Sequence, residues 1–276
     1  MSRRPLTLVV ALLLVSMLGL VAVAASQRAQ TRKQAPRVTK VETITNTVVP
    51  DAKPLRVVGP PKPAQAPKPK PKPEPTFSIA RVKSGHQVTL RSKPGGKPLT
   101  NVGATTQFGS PTKLAVAEHK GSWVGLTSTD LPNGTLGWVK QTNAGLAKAA
   151  PTHISIRVDL SRRTLELRDG RKTVRHATVG IGRPGSPTPT GRFSITDKLS
   201  GSRYGPYYGC CILALSGHQT NTPAGWQGGD RLAIHGTNNP ASIGVPSSAG
   251  CLHADADDLR YLMRRVPLGT PVFIHA

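Results

Sequence analysis

From Ile154 onward, apolar positions recur at every second residue over short runs: Ile154-Ile156-Val158, then Leu165-Leu167, then Val174 to Ile181. A period of two is what a half-buried strand requires, because successive side chains point to opposite faces. Asp169-Gly170 between the second and third runs predicts a hairpin, since a two-residue turn needs residues that tolerate positive φ. Gly182 to Gly191, rich in Gly, Pro and Thr, reads as a loop, either one wall of a cleft or a plain connector. Strands follow at Phe193–Ile195, at Leu232 to Ile234, which ends at His235, and at Pro271 to Ile274 after the Gly269-Thr270 turn. The period changes once. Leu259, Leu262, Met263 and Val266 stand at i, i+3, i+4 and i+7, which predicts a helix from Asp255 to about Val266 with Asp255 as its cap.

Residues 77–148 show shorter alternations divided by turn signals: Val88-Leu90, Leu114-Val116, Trp123-Val124-Leu126 and Leu136-Trp138-Val139, with Pro94-Gly95-Gly96 and Pro132-Asn133-Gly134 between them. Regular short strands of this kind predict a small all-β barrel. The fold class is therefore mainly β: a β-rich domain over 152–276 with one helix near the C-terminus, preceded by the small barrel over 77–148.

The N-terminal part follows a different pattern. Met-Ser-Arg-Arg precedes a 20-residue apolar run, Leu6 to Ala25, so residues 1–26 read as an export signal or a membrane anchor. The run has the length of a membrane-crossing helix, roughly 17–25 residues, which favours an anchor, while Ala22-Val23-Ala24 offers a cleavage site. Either way Arg3 and Arg4 would stay in the cytoplasm and all that follows would lie outside, in the cell envelope. Residues 27–76 are polar and Pro-rich, ending in an alternation of Pro and Lys over 60–75 that favours an extended spacer of roughly 50 Å at ~3.1 Å per residue.

Charge and cysteines narrow the chemistry. The formal net charge is +24 with 4% aromatic residues. Without a basic helix or an Arg-rich groove motif, and with an export signal, nucleic acid is excluded as the partner. Anionic wall polymers or lipid headgroups fit the charge and the location together. Of three cysteines, Cys210 and Cys211 are adjacent, and neighbours in sequence rarely bond to each other. Both read as buried structural residues, and Cys251, among Gly and Ser, reads as the unpaired thiol.

Cys251 lies 16 residues after His235, across a loop holding Pro240, Gly244 and Pro246 that can fold back on itself. Acyl transfer needs such a meeting: a thiolate attacks, and an imidazole takes its proton. The predicted helix just beyond Cys251 would favour a thiolate through its positive end if the fold brings the two near, and amide N–H groups around Gly250 and Cys251 could form an oxyanion hole. His253 allows three readings: a carboxylate-binding residue, a helix-start residue without a role, or a metal ligand with Cys251 and His235. The last lacks the tight paired spacing of zinc sites. His218 reads as a cleft or surface residue.

Ile-His-Gly-Thr-Asn-Asn-Pro (234–240) followed by Ser-x-Gly-Cys (248–251), with Pro-Gly-Ser-Pro-Thr-Pro-Thr-Gly-Arg-Phe (184–193) upstream and Gly-Thr-Pro-Val-Phe-Ile at the end, resembles the L,D-transpeptidase catalytic domain of the YkuD type over about 152–276. Gly-Ser-Trp-Val and Gly-Trp-Val in 77–148 resemble a bacterial Src-homology-type barrel. The first resemblance implies a reaction on peptidoglycan stem peptides, in which a cysteine thioester forms with loss of a terminal D-amino acid and passes to an amine of a neighbouring stem, with no metal or cofactor. It implies Cys251 as nucleophile, His235 as base and Gly236 as the carbonyl that orients the imidazole, with Ser248, Gly250, Asn238 and His253 as supporting and substrate-binding residues. Many family members have His or Lys at Ala249 and most have Arg at His253, a fixed charged fork that a neutral His does not supply. Transfer to water or a free D-amino acid, or a wall-binding module without catalysis, are the alternative readings.

Overall fold

The structure, a computed structural model, describes residues 73–276. The expected export segment at 1–26 and the stretch 27–72 lie outside the described residues. Among the described residues no helix is long and apolar enough to cross a membrane.

The first sheet contains seven strands: β1 (Phe77–Val82), β2 (Gln87–Arg91), β3 (Pro98–Gly103), β4 (Lys113–Lys120), β5 (Trp123–Leu126), β6 (Gly137–Lys140) and β7 (Leu146–Thr152). They pair antiparallel in the order β3-β2-β6-β5-β4-β1-β7. The alternations read from the sequence became β2, β4, β5 and β6, whose inward residues Val88, Leu90, Val124 and Leu126 make the core. The edge strands β3 and β7 each bury one residue, so backbone pairing holds them and no apolar pattern marks them.

The second sheet closes on itself. Its strands are β8 (Ile154–Asp159), β9 (Thr164–Asp169), β10 (Lys172–Gly182), β11 (Gly191–Ser200), β12 (Cys211–His218), β13 (Arg231–His235), β14 (Pro246–Ser248), β15 (Leu252–Ala254) and β16 (Pro271–His275). The order β10-β15-β13-β12-β11-β16-β8-β9 returns to β10, a closed barrel of eight strands with β14 attached to β10. Inward residues such as Ile156, Leu165, Phe193, Leu213 and Ile234 fill it. Each large apolar side chain removed from water there contributes about 1.5–3 kcal/mol. The hairpin at Asp169-Gly170 is present between β9 and β10. β12, a continuous apolar run that alternation does not reveal, is buried along nearly its whole length, with the helix packed against it.

That helix, α1 (Ala256–Arg265), is the one α-helix among the described residues. Asp255 caps it, accepting from the Asp257 amide at 2.8 Å, and Leu259 and Leu262 face the core. At the other end the Lys198 ammonium donates to the carbonyls of Met263 (2.9 Å) and Val266 (3.0 Å), satisfying carbonyls that a helix end leaves without partners.

Side chains tie the sheet to the barrel. Thr127 Oγ1 donates to Ser194 Oγ at 3.0 Å, and Thr106 Oγ1 to the buried Asp197 carboxylate at 2.5 Å. The Asn133 amide exchanges two hydrogen bonds with the backbone of His218 (2.7 and 2.9 Å), whose ring bridges Asp230 and the Thr129 carbonyl. His218 is a strut between the two sheets, not a cleft residue.

One sequence expectation fails here. Cys210 and Cys211 are bonded to each other. Cys210 sits in the turn before β12, so the alternation that sends neighbouring strand side chains apart does not govern it. Cys251 is the free cysteine.

Candidate active site

β13 and β15 run parallel and adjacent, with Ile234 opposite Leu252 and His235 opposite His253. Ile234 and Leu252 point into the barrel core, so the strand period puts His235, His253 and Cys251, which directly precedes β15, on the other face. His235 and Cys251 line one pocket, walled by Tyr207, Tyr208 and Trp226. The fold-back of the intervening loop, with its short helical turn at Pro240–Ser242, brings the two ends together.

The protonation pattern follows from the partners. His235 Nδ1 lies 2.5 Å from the Gly236 carbonyl, and a carbonyl only accepts, so Nδ1 carries the hydrogen. Nε2 is then a lone-pair acceptor, buried and without a partner among the described residues. Burial, and secondly the neighbouring His253 imidazole, lower the His235 pKa to about 4, against a small opposing effect of the Gly236 bond. Cys251 is half-buried as a residue while its sulfur is enclosed. Burial pushes its thiol up to about 11, offset in part by the Ala233 backbone. The thiol donates to the Arg231 carbonyl at 3.8 Å, not to His235. The resting pair is thus a neutral thiol and a neutral imidazole. The helix does not create a thiolate: β15 separates Cys251 from its first turn, and burial dominates.

The segment carrying Cys251 is braced from three directions. Ser248 Oγ donates to the Cys251 carbonyl at 2.6 Å and accepts the Gly250 amide at 3.0 Å. Thr188 Oγ1 accepts the Gly182 amide and donates to the Gly250 carbonyl (2.8 and 2.9 Å). Gln219 Nε2 reaches the carbonyls of Pro187 and Ala249 at 3.0 Å and Ser186 at 3.3 Å. The loop after β10 is therefore a buttress of the site. Gly250, at φ +123°, lies so close to Gln219 that a Cβ would come within 1.9 Å of its amide.

Of the residues singled out from the sequence, Cys251 and His235 share the pocket, and Gly236 orients the imidazole through its carbonyl. Ser248 and Gly250 shape the Cys251 turn, but the Gly250 amide is committed to Ser248, which removes it from the expected oxyanion hole. Asn238 is exposed on the loop beyond β13 and does not line the pocket. His253 belongs to β15, not to the helix start. It is buried, with Nδ1 2.8 Å from Ser242 Oγ and its ring 4.8 Å from that of His235. It is therefore not presented to a substrate carboxylate. Among the described residues no group of three His, Cys, Asp or Glu side chains is arranged to hold a metal ion. Sequence reasoning missed Gln219, Thr188 and Ser242, whose polar types carry no local signal, and Tyr207, Tyr208 and Trp226, whose clustering in an aromatic-poor chain was the available sign.

A mainly β chain, closed into a barrel and carrying one free cysteine and a buried histidine on adjacent strands, is the architecture onto which the comparisons fall. Residues 153–274 match the model of the YkuD family, the L,D-transpeptidase catalytic domain. The putative L,D-transpeptidase YkuD of Bacillus subtilis is 33% identical over 127 residues, covering 45% of this chain and 66% of the relative. Its counterpart in Bacillus licheniformis is 34% identical over 121 residues, covering 43% and 64%. The match thus spans just under two thirds of those relatives. Among solved structures, L,D-transpeptidase 3 from Mycobacterium tuberculosis, in complex with a faropenem-derived adduct, aligns over 59% of this chain and 73% of its own with 16% identity and a TM-score of 0.35. An L,D-transpeptidase from Mycobacterium smegmatis aligns over 72% and 99%, with 16% identity and a TM-score of 0.38.

Proposed function

We propose that this protein is an extracytoplasmic L,D-transpeptidase that cross-links peptidoglycan stem peptides through a thioester on Cys251, with His235 as the base. The observation that carries this reading is the pairing, in one pocket, of the free thiol with a buried imidazole nitrogen that has a lone pair and no partner.

On substrate binding the Cys251 thiol turns from the Arg231 carbonyl to His235 Nε2 and yields its proton as the sulfur attacks the stem carbonyl. His235, held by Gly236, is then an imidazolium; it returns the proton to the departing amine, and the terminal D-amino acid leaves. The thioester remains. An amine of a second stem attacks it, His235 takes the amine's proton, and the thiolate departs and is reprotonated. General acid–base assistance of this kind contributes about 10²–10⁴-fold. Ser248, Thr188 and Gln219 keep the sulfur in place, and order before reaction is what makes a positioned nucleophile effective. The export segment and the Pro/Lys spacer support a location in the cell envelope.

The test is mass spectrometry of the full chain with a stem tetrapeptide. We expect a covalent adduct that is lost in Cys251→Ala, and a cross-linked dimer when an acceptor stem is added. An adduct on Cys251→Ala would remove the cysteine from the mechanism, and hydrolysis or D-amino-acid exchange alone would make the protein a carboxypeptidase or exchange enzyme.

A further inference from the structure

The chain has three Trp, four Tyr and four Phe, yet Tyr207, Tyr208 and Trp226 all line the Cys251 pocket, and Tyr204 packs edge-on against Tyr208 at 6.2 Å. Core packing does not account for this gathering, since Tyr204, Tyr207 and Trp226 are 43, 37 and 37% exposed. Large exposed rings grouped at one place mark a binding surface.

Trp226 is the best placed of them. Its Nε1–H donates to the Gly229 carbonyl at 2.6 Å. The ring rests against Gly228, where an added Cβ would come within 2.5 Å of the indole. The Nε1–Cε2–Cζ2 side of the indole thus rests against the Gly228 backbone, and the partly exposed ring lines the pocket shared with Cys251. Asp230 stands on the same wall with its side chain 61% exposed. One carboxylate oxygen meets His218 at 3.0 Å, and the other takes no hydrogen bond from the described residues.

An exposed indole and a carboxylate acceptor lining one pocket suit a pyranose ring. The C–H groups of one sugar face pack on the indole, and the equatorial hydroxyls donate to the carboxylate. An apolar amino-acid side chain would use the ring and have no call on Asp230. We propose that Trp226, seated on Gly228 and sharing its pocket with Asp230, is a saccharide platform that holds a sugar ring of the glycan in the cleft where the stem is acylated. The choice of glycan as the source of that sugar rests on the acyl-transfer reading of the same cleft.

The test uses the full chain carrying Cys251→Ala, titrated calorimetrically with a peptide-free tetramer of β-1,4-linked N-acetylglucosamine. Saturable binding is expected. It should weaken by about tenfold or more in Trp226→Ala and also in Gly228→Ala, which keeps the indole but unseats it, and in Asp230→Asn. Circular dichroism checks that each variant is folded. No binding by the folded parent, or undiminished binding by folded Trp226→Ala, overturns the platform. Because the binding protein lacks the nucleophile, this result is independent of the thioester experiment, and either reading can fail while the other stands.

Discussion

The rings of His235 and His253 lie side by side on adjacent parallel strands, with centroids 4.8 Å apart and planes inclined at 56°. Their Nδ1 atoms are both engaged, one with the Gly236 carbonyl and the other with Ser242 Oγ. Ser242 Oγ in turn lies 2.7 Å from the Asn239 carbonyl, to which its own hydrogen must go, so it accepts from His253. Both Nε2 atoms are therefore lone-pair acceptors, and both are buried without a donor. Burial first, and secondly the neighbouring imidazole, disfavour the charged form of His235, which therefore rests neutral with its Nε2 lone pair free.

The same pair makes the fold sensitive to acid. Burial holds both imidazoles below the ordinary 6.5, His235 at about 4. A group whose pKa falls on folding adds stability above its unfolded value and loses it as the pH drops through its folded value. Stability should therefore be complete above pH 6.5 and decline towards pH 4, with His235 accounting for on the order of 3 kcal/mol. Urea unfolding across this range measures the slope. In His253→Phe, with the neighbouring charge removed, the His235 titration read by NMR should move upward; an unmoved titration would show that the two rings are not coupled.

Cys251 predicts the opposite end of the pH scale. Its thiol is raised from 9.0 to about 11 by burial, and the thiolate is the reactive form. Alkylation of Cys251 by iodoacetamide should accelerate about tenfold per pH unit through 9 and level off only near 11. A plateau near neutrality would mean a preformed thiolate–imidazolium pair, contrary to a thiol that rests on the Arg231 carbonyl. Stability linked to this group is lost as the pH rises from 9 towards 11.

What could be read from the chain alone divides along physical lines. β8, β9 and β10 announced themselves because each alternates apolar core residues with polar ones, and α1 because its apolar stripe repeats at helical spacing under the Asp255 cap. β12 did not, since a strand buried on both faces shows no alternation. Cys251 and His235 were legible from motif and spacing. The three-way clamp of Gln219 was not, because it joins segments 30 residues or more apart in sequence, and a single glutamine has no periodicity. The protonation state of Cys251 is not legible from the nearness of the helix in sequence; enclosure of the sulfur, which only packing determines, outweighs it.

Gln219→Leu tests that clamp. The replacement fills similar space but leaves the carbonyls of Pro187 and Ala249 without their donor, at a cost of about 1–3 kcal/mol in a buried setting. Thioester formation should slow through kcat with little change in KM, because the loss falls on the placement of the sulfur. A change confined to KM would instead put Gln219 in contact with substrate.

Gly250→Ala probes the same contact from the other side, with two separable penalties. The backbone at φ +123° is one that L side chains rarely adopt, and a new Cβ would overlap the Gln219 amide at 1.9 Å. The strained conformation alone costs about 1–3 kcal/mol. The overlap adds to it as long as Gln219 stays in place to hold Ala249, and truncation to Gln219→Ala removes that part only. The double variant should therefore be destabilised by less than the sum of the single variants, with a coupling of about 0.5–3 kcal/mol, read from urea unfolding of all four proteins. Strict additivity would show that Gly250 is required for its backbone angle alone and that the contact with Gln219 yields freely.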